Sequence, residues 1–271
     1  MERDFTLQTY RRLVEAIMAG GYTIQTFRDF LQTPESRSVI IRHDVDRRPY
    51  NSLRTAKIED ELGIRTSYYF RIKPCSYNEI MMKQIAAMGH EIGYHSEDLA
   101  DAHGNAREAI RRFEINLNTF RKIVPIHTIT MHGSPLSRWD NRDLWKIHDY
   151  RHYGIIGDPY YDLDFNTVLY LTETGRRWNS GDYNVRDWGK PAFSIDRSLT
   201  KKLLDISSTQ ALIRCFLNRG LPDRIMLTIH PERWDDNVVY WLRQLVFQRI
   251  KNQIKKIIVK KNGQIQNYPQ P

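Results

Sequence analysis

Short apolar runs alternate with longer amphipathic segments along most of this 271-residue chain. The runs include "VII", "TSYYFRI", "HEIGYH", "IHTITM", "NTVLYLTET" and "RIMLTI". Such runs are typical of buried strands, and the segments between them place apolar residues at helical spacing. Regular alternation of strand and helix favours a parallel sheet. About seven strands without an obvious linker predict a single α/β domain of the barrel type.

Three regions are predicted along this domain. Residues 1–37 form an N-terminal helical extension, with Tyr10, Leu13 and Ile17 on one helix face and glycines at its end. Residues 38–234 form the barrel, including a helix in "NRDLWKIHDY" and an irregular region from about 154 to 190. Residues 235–271 form a basic amphipathic helix and a tail.

The composition is that of an ordinary globular protein, with 41% hydrophobic and 27% charged residues. The first residues are charged where a signal peptide needs an apolar run, and no apolar stretch is long enough to span a membrane. The two cysteines, Cys75 and Cys215, suggest neither a disulfide framework nor a CxxC metal site. We therefore expect a cytoplasmic protein.

The positive charge is concentrated at the C-terminal end. The net charge is +9, but seven Lys and Arg residues and no acid follow Asp236, so only +2 remains elsewhere. This local excess argues against nucleic-acid binding. The segment also carries Leu242, Val246 and Ile250 at helical spacing. Two interpretations stay open: a helix packed on the domain with a solvated basic back, or peripheral contact with an anionic surface or substrate.

Polar residues follow the apolar runs of four strands, in "IIRHDVD", "EIGYHSED", "TITMHGSP" and "LTIHPERW". The carboxyl ends of parallel barrel strands meet on the face where catalysis occurs. We therefore expect the strand-end residues to form one site. The set comprises His43, Asp44, Asp46, His95, Glu97, Asp98, His132 and His230.

The residue types of this set indicate metal-assisted hydrolysis. Asp oxygen and neutral His nitrogen are ligands for zinc or a similar divalent ion, and no cluster of cysteines competes. Asp44 and Asp46 lie two residues apart, so both project from the same side of an extended chain. One can bind the metal while the other accepts a proton from water.

Three of these motifs, in order and spacing, resemble those of the polysaccharide deacetylase family, also called the NodB-homology or carbohydrate esterase 4 superfamily. They are "IIRHDVD", "MGHEIGYHSED" and "LTIHPER", and the resemblance covers roughly residues 38–234. With "YLTETGRRWNSGDYNVRDW" it is similar to a divergent, WbmS-like branch linked to lipopolysaccharide or surface-polysaccharide synthesis. The resemblance implies a deformed (β/α)7 barrel that removes N-acetyl groups from a carbohydrate substrate with a divalent metal, zinc first.

The resemblance also implies roles for individual residues. Asp44 matches the catalytic base, His230 the general acid, and Asp46 and His95 two metal ligands. The family's second histidine ligand falls on Leu99, which cannot bind a metal. Glu97, Asp98 and His132 are the available replacements, and we predict Glu97 because it is close to His95 in sequence.

Substrate contacts are predicted for His132, Arg177 and Trp178, since an indole face suits sugar stacking and a guanidinium can hold an anionic group. Asp187 slightly resembles a family aspartate that orients the catalytic histidine. Two other functions stay open: a degenerate barrel that binds carbohydrate without hydrolysis, and a metal-dependent hydrolase of another amide or ester.

Overall fold

A curled parallel sheet of seven strands forms the centre of the protein. The computed structural model describes residues 3–134, 137–173, 175–178, 206–250 and 253. The strands are β1 (Thr23–Gln25), β2 (Ser38–Val45), β3 (Ser67–Phe70), β4 (Glu91–Ser96), β5 (Ile129–Met131), β6 (Leu169–Thr172) and β7 (Arg224–Ile229). Their order is β5-β4-β3-β2-β7-β6, and β1 pairs with the first half of β2. The predicted parallel sheet is confirmed, while closure into a barrel stays a prediction.

Helices connect these strands, as the alternating pattern predicts. They are α1 (Leu7–Ala19), α2 (Phe27–Gln32), α3 (Pro49–Glu61), α4 (Glu79–Ala87), α5 (Asp98–Asp101), α6 (Ala106–Arg121), α7 (Pro159–Asp162), α8 (Thr209–Leu217) and α9 (residues 238–250). The helix predicted in "NRDLWKIHDY" is instead two short 3-10 segments, Asn141–Lys146 and Tyr150–Tyr153. An aspartate caps each of these, because its carboxylate accepts from a backbone N–H two residues on.

The outer face of the sheet carries most of the apolar core. Leu13 and Ile17 of α1 and Phe216 of α8 are fully buried in the cluster that includes Ile41 of β2 and Leu227 of β7. A second outer cluster joins β3, β4 and β5 to α3, α4 and α6. The N-terminal helix therefore shares its core with the strands that follow it.

The inner face is closed at the amino ends of the strands by α2. Phe27 and Phe30 pack there against Ile40, Tyr69 and Met226, which are also buried. Since side chains alternate along a strand, the residues two and four positions after Ile40 face the same side nearer the carboxyl edge. The apolar floor thus lies beneath Arg42 and Asp44.

The C-terminal helix α9 does not pack as a buried apolar face. Leu242, Val246 and Ile250 are 49%, 57% and 57% exposed, whereas Gln244 and Gln248 are 9% and 6% exposed. In residues 238–250 these three apolar side chains therefore do not pack on the domain, and the rest of the predicted helix lies outside the described residues. None of the helices in the described ranges combines the length and the apolar composition needed to cross a bilayer.

Candidate active site

Asp46 and two histidines from different strand ends meet at the carboxyl edge of the sheet. Asp46 follows β2, His95 lies near the end of β4, and His132 follows β5. Asp46 Oδ1 lies 3.6 Å from His95 Nε2 and 3.5 Å from His132 Nε2. The two imidazole rings are nearly perpendicular, with centroids 5.3 Å apart. Residues separated by up to 86 positions thus share one small polar cluster.

Backbone and side-chain partners orient both rings of this cluster. His95 Nδ1 lies 3.3 Å from the carbonyl oxygen of Thr130, and His132 Nδ1 lies 3.0 Å from Glu97 Oε2. Since both partners are acceptors, each Nδ1 carries the proton and each Nε2 presents a lone pair. Burial lowers the pKa of His95 to about 4, so its ring is neutral at pH 7.

Glu97, predicted as the third metal ligand, is occupied by other partners. Arg71 donates from Nε to Glu97 Oε1 at 2.9 Å and from Nη2 to Oε2 at 2.8 Å. Burial raises the pKa of Glu97, but the hydrogen bond from His132 and the charge of Arg71 outweigh it and bring the pKa to about 2. The carboxylate is thus an anion held between Arg71 and His132, and its role as a metal ligand stays a prediction.

The two residues that follow Glu97 face the outer core. Asp98 accepts hydrogen bonds from the Tyr94 hydroxyl at 2.8 Å and from Asn116 Nδ2 at 2.7 Å. Burial raises the pKa of Asp98 to about 7. Leu99 is 5% exposed and belongs to the outer apolar cluster. Both side chains thus pack on the outer side of the sheet, where the chain after His95 turns into α5.

Asp44, predicted as the base, is held by a buried arginine. Arg42 donates from Nε to Asp44 Oδ1 at 2.9 Å and from Nη2 to Oδ2 at 2.7 Å. Oδ2 also lies 3.9 Å from His95 Nε2, which connects this pair to the Asp46 cluster. Burial raises the pKa of Asp44, but Arg42 and then His95 outweigh it, and the net pKa is lowered. Asp44 is therefore ionised beside the cluster.

His230, predicted as the general acid, follows β7 and is 6% exposed. Its Nδ1 lies 3.5 Å from Glu173 Oε2, and the same oxygen accepts a hydrogen bond from Arg233 Nη1 at 2.9 Å. Burial and Arg233 lower the pKa of His230, but the carboxylates of Glu173 and Asp46 outweigh them and raise it. Glu173 is therefore the carboxylate beside His230, and Asp187, predicted to orient this histidine, lies outside the described residues.

The two loop residues predicted to contact substrate occupy different environments. Trp178 is 1% exposed, and its Nε1 donates to Thr209 Oγ1 at 3.0 Å. Its ring packs against Trp234, so no sugar can stack on it, and this prediction is wrong. Arg177 is exposed and lines a surface cavity of about 560 Å³ with Gln248 of α9. Its contact with substrate stays a prediction.

No protein-family model matches this chain, and no curated protein matches it. The case for a function therefore comes from the geometry of the cluster and from its chemistry. Asp46, His95 and His132 supply one oxygen and two imidazole nitrogens, a donor set that zinc takes in proteins. As the side chains stand, no group of three or more His, Cys, Asp or Glu in the described ranges forms a complete metal site. A metal here is therefore a proposal.

Three residues of the site were missed by the sequence analysis. Arg42 stands two positions before Asp44 on one strand, so alternation would have placed them on the same face. Glu173 directly follows β6, the position used to find the other site residues. Arg71 follows β3 in the same way. The sequence analysis considered strand ends that carry a histidine. A search for any charged residue directly after a strand would have found Glu173 and Arg71 as well.

Proposed function

We propose that the chain is a metal-dependent hydrolase that removes an N-acetyl group from a sugar, built on a deformed (β/α)7 barrel. The environment of Asp46 Oδ1 is the observation that supports a bound metal. This oxygen is buried and accepts no hydrogen bond from the described residues, although its carboxylate has a pKa lowered by His132, His230, His95 and Arg71 against the effect of burial. A buried anion without a partner is costly, so a cation fits this position.

The histidine tautomers strengthen this interpretation. Both Nδ1 atoms donate to acceptors, so two Nε2 lone pairs face the same carboxylate oxygen. Two ligands about 2.1 Å from a tetrahedral zinc ion stand about 3.4 Å apart, close to the 3.5 and 3.6 Å found here. A proton on His95 does not supply the positive charge beside Asp46 at pH 7, because the pKa of His95 is about 4. We therefore assign the third ligand to His132 instead of Glu97.

Two residues beside this cluster are suited to different proton transfers. Asp44 is ionised and fixed by Arg42, so it accepts a proton from the attacking water. His230 has a raised pKa and donates a proton to the departing amine. When bound, a divalent ion would polarise the amide carbonyl and favour ionisation of water. Glu173 lies 3.5 Å from His230 Nδ1 and is itself held by Arg233.

The substrate class depends on the resemblance of the strand-end motifs to polysaccharide deacetylases. Hydrolysis of an acetamide needs a base and an acid on either side of the carbonyl, and Asp44 and His230 supply that pair. The geometry is equally compatible with another amide. We propose an N-acetylated sugar of a surface polysaccharide or lipopolysaccharide precursor because of the motif order.

The metal assignment is tested with cobalt, whose visible absorption reports tetrahedral coordination by nitrogen and oxygen. We expect the wild-type protein to bind one equivalent of Co²⁺ or Zn²⁺. His132→Ala should bind at least about 10-fold more weakly, whereas His103→Ala, at an exposed histidine, should bind normally. Equal binding by His132→Ala would remove His132 from the metal site. Circular dichroism checks that the variant stays folded.

The reaction is tested by acetate release from N-acetylglucosamine oligomers. Asp44→Asn and His230→Ala should each lower turnover at least about 100-fold while metal content stays normal. Retained turnover in either variant would overturn its role. If other amides or esters release a different acid, and the same two variants lose that activity, the site assignment stands and the substrate assignment is wrong.

A further inference from the structure

The exposed face of α9 presents apolar and cationic side chains together. We call Val239, Leu242, Val246, Phe247 and Ile250 the apolar stripe. Their exposed fractions run from 40% for Phe247 to 75% for Val239, which is high for large apolar side chains. Four of them recur at intervals of three and four residues, so they form one continuous line along the helix.

The opposite face of α9 holds the helix on the domain. Gln244 and Gln248 are nearly buried, and Trp241 Nε1 donates to the carbonyl oxygen of Asp4 at 2.6 Å. Arg176 donates to the carbonyl oxygen of Trp241 at 3.0 Å. The helix is therefore fixed through polar contacts, and its apolar stripe faces outward.

Three arginines lie beside the stripe and connect it to the active-site edge. Arg47 lies over the Phe247 ring with Cζ 5.8 Å from the centroid, and Arg48 lies over Tyr240 at 3.5 Å. These arginines, with Arg243 and residues of the stripe, line a cavity of about 720 Å³. Arg47 directly follows Asp46 in sequence, so the surface continues from the site itself.

The positive charge of this region favours an anionic partner. The sequence after Asp236 contains seven Lys and Arg residues and no acid. A helix with an apolar line and flanking cations binds in the headgroup region of a bilayer, where both anionic charge and apolar chains are available. A second copy of this chain would bring the same positive charges against each other, which opposes dimerisation through this face.

We propose that the apolar stripe of α9, with Arg47, Arg48 and Arg243, docks on an anionic lipid surface. The inference does not depend on the deacetylase proposal, because it concerns binding and not turnover. Docking would place the carboxyl edge of the sheet beside the lipid headgroups, since Arg47 belongs to both the docking face and the loop after β2.

The test uses the full-length protein and sedimentation with vesicles of phosphatidylcholine alone or with phosphatidylserine added. We expect binding only to the anionic vesicles, with an affinity that falls as salt rises. Val246→Asp should weaken binding at least about 10-fold, and Arg243→Gln about fivefold, the loss of about one charge contact. The matched control is Ile115→Asp, at a residue of α6 that is 52% exposed, and it should bind like wild type.

Three results would overturn the proposal. The first is no binding to anionic vesicles, or binding that Val246→Asp leaves unchanged. The second is a dimer of the wild-type protein that Val246→Asp converts to a monomer, because a second copy would then cover the stripe. The third is a thermal midpoint of Val246→Asp well below that of Ile115→Asp, because the stripe would then be buried by the chain itself.

Discussion

Glu97 Oε2 and His132 Nδ1 lie 3.0 Å apart, although 35 positions separate the two residues in sequence. Arg71 also fixes this carboxylate, through one hydrogen bond to each of its oxygens. The pair sets the tautomer of His132 and directs its Nε2 lone pair toward Asp46. A carboxylate that orients a histidine in this way makes the nitrogen a better ligand without binding the metal itself.

Glu97→Gln should therefore weaken zinc binding by about 10- to 100-fold without abolishing it. An amide keeps the shape of the side chain but loses the negative charge that favours the Nδ1–H tautomer. Competition with a chelator measures the affinity. Glu108→Gln is the matched control, since Glu108 also accepts hydrogen bonds from two arginines but lies on α6. A complete loss of binding would instead support Glu97 as a direct ligand.

Glu173→Gln should shift the pH dependence of turnover. Glu173 helps to raise the pKa of His230, and its loss leaves Arg233 nearby without compensation, so the pKa of His230 falls. A general acid must be protonated, so the basic limb of the pH profile should move to lower pH. The acidic limb, which reports Asp44, should stay in place. An unchanged basic limb would assign the acid to another residue.

Asp98→Asn should change how stability depends on pH. Burial raises the pKa of Asp98 to about 7, against about 3.9 in the unfolded chain. Below pH 4 both states are protonated, and above it the unfolded state ionises first, so this group destabilises the fold progressively up to about pH 7. The free energy of unfolding falls by roughly 4 kcal/mol at most through this group. Urea titrations at pH 4.5 and 7.5 should show a smaller fall in stability for Asp98→Asn than for wild type.

Gly93→Ala should destabilise the fold by about 1–3 kcal/mol. An added Cβ would lie 2.2 Å from Tyr69 Cε1 and 3.0 Å from the carbonyl oxygen of Thr128, so the inner face would have to shift. Gly220→Ala is the control, because its nearest neighbour would be 3.9 Å away. Urea unfolding compares the two variants. Equal stability would show that Tyr69 moves aside at little cost.

Much of the fold could be predicted because local patterns of apolar residues in the sequence determine its strands and helices. Buried strands such as β2 read as apolar runs, and the strand-end rule brought Asp46, His95 and His132 to one edge. The 3-10 segments were predicted as a helix because apolar spacing alone does not separate the two. Trp178 was predicted to contact substrate because an indole face suits sugar stacking, whereas packing on Trp234 buries it.

The sequence by itself determined the alternation of strands and helices, the parallel sheet and the edge at which polar side chains meet, because these follow from periodicity over a few residues. Only the tertiary structure placed His132 beside Asp46 and Glu97 beside Arg71, since these contacts depend on the turn into α5 and on a residue that follows β3. The orientation of α9 was decided in the same way. Its amphipathic pattern is visible in the sequence, but contacts with Asp4 and Arg176, far away in the chain, determine which face packs.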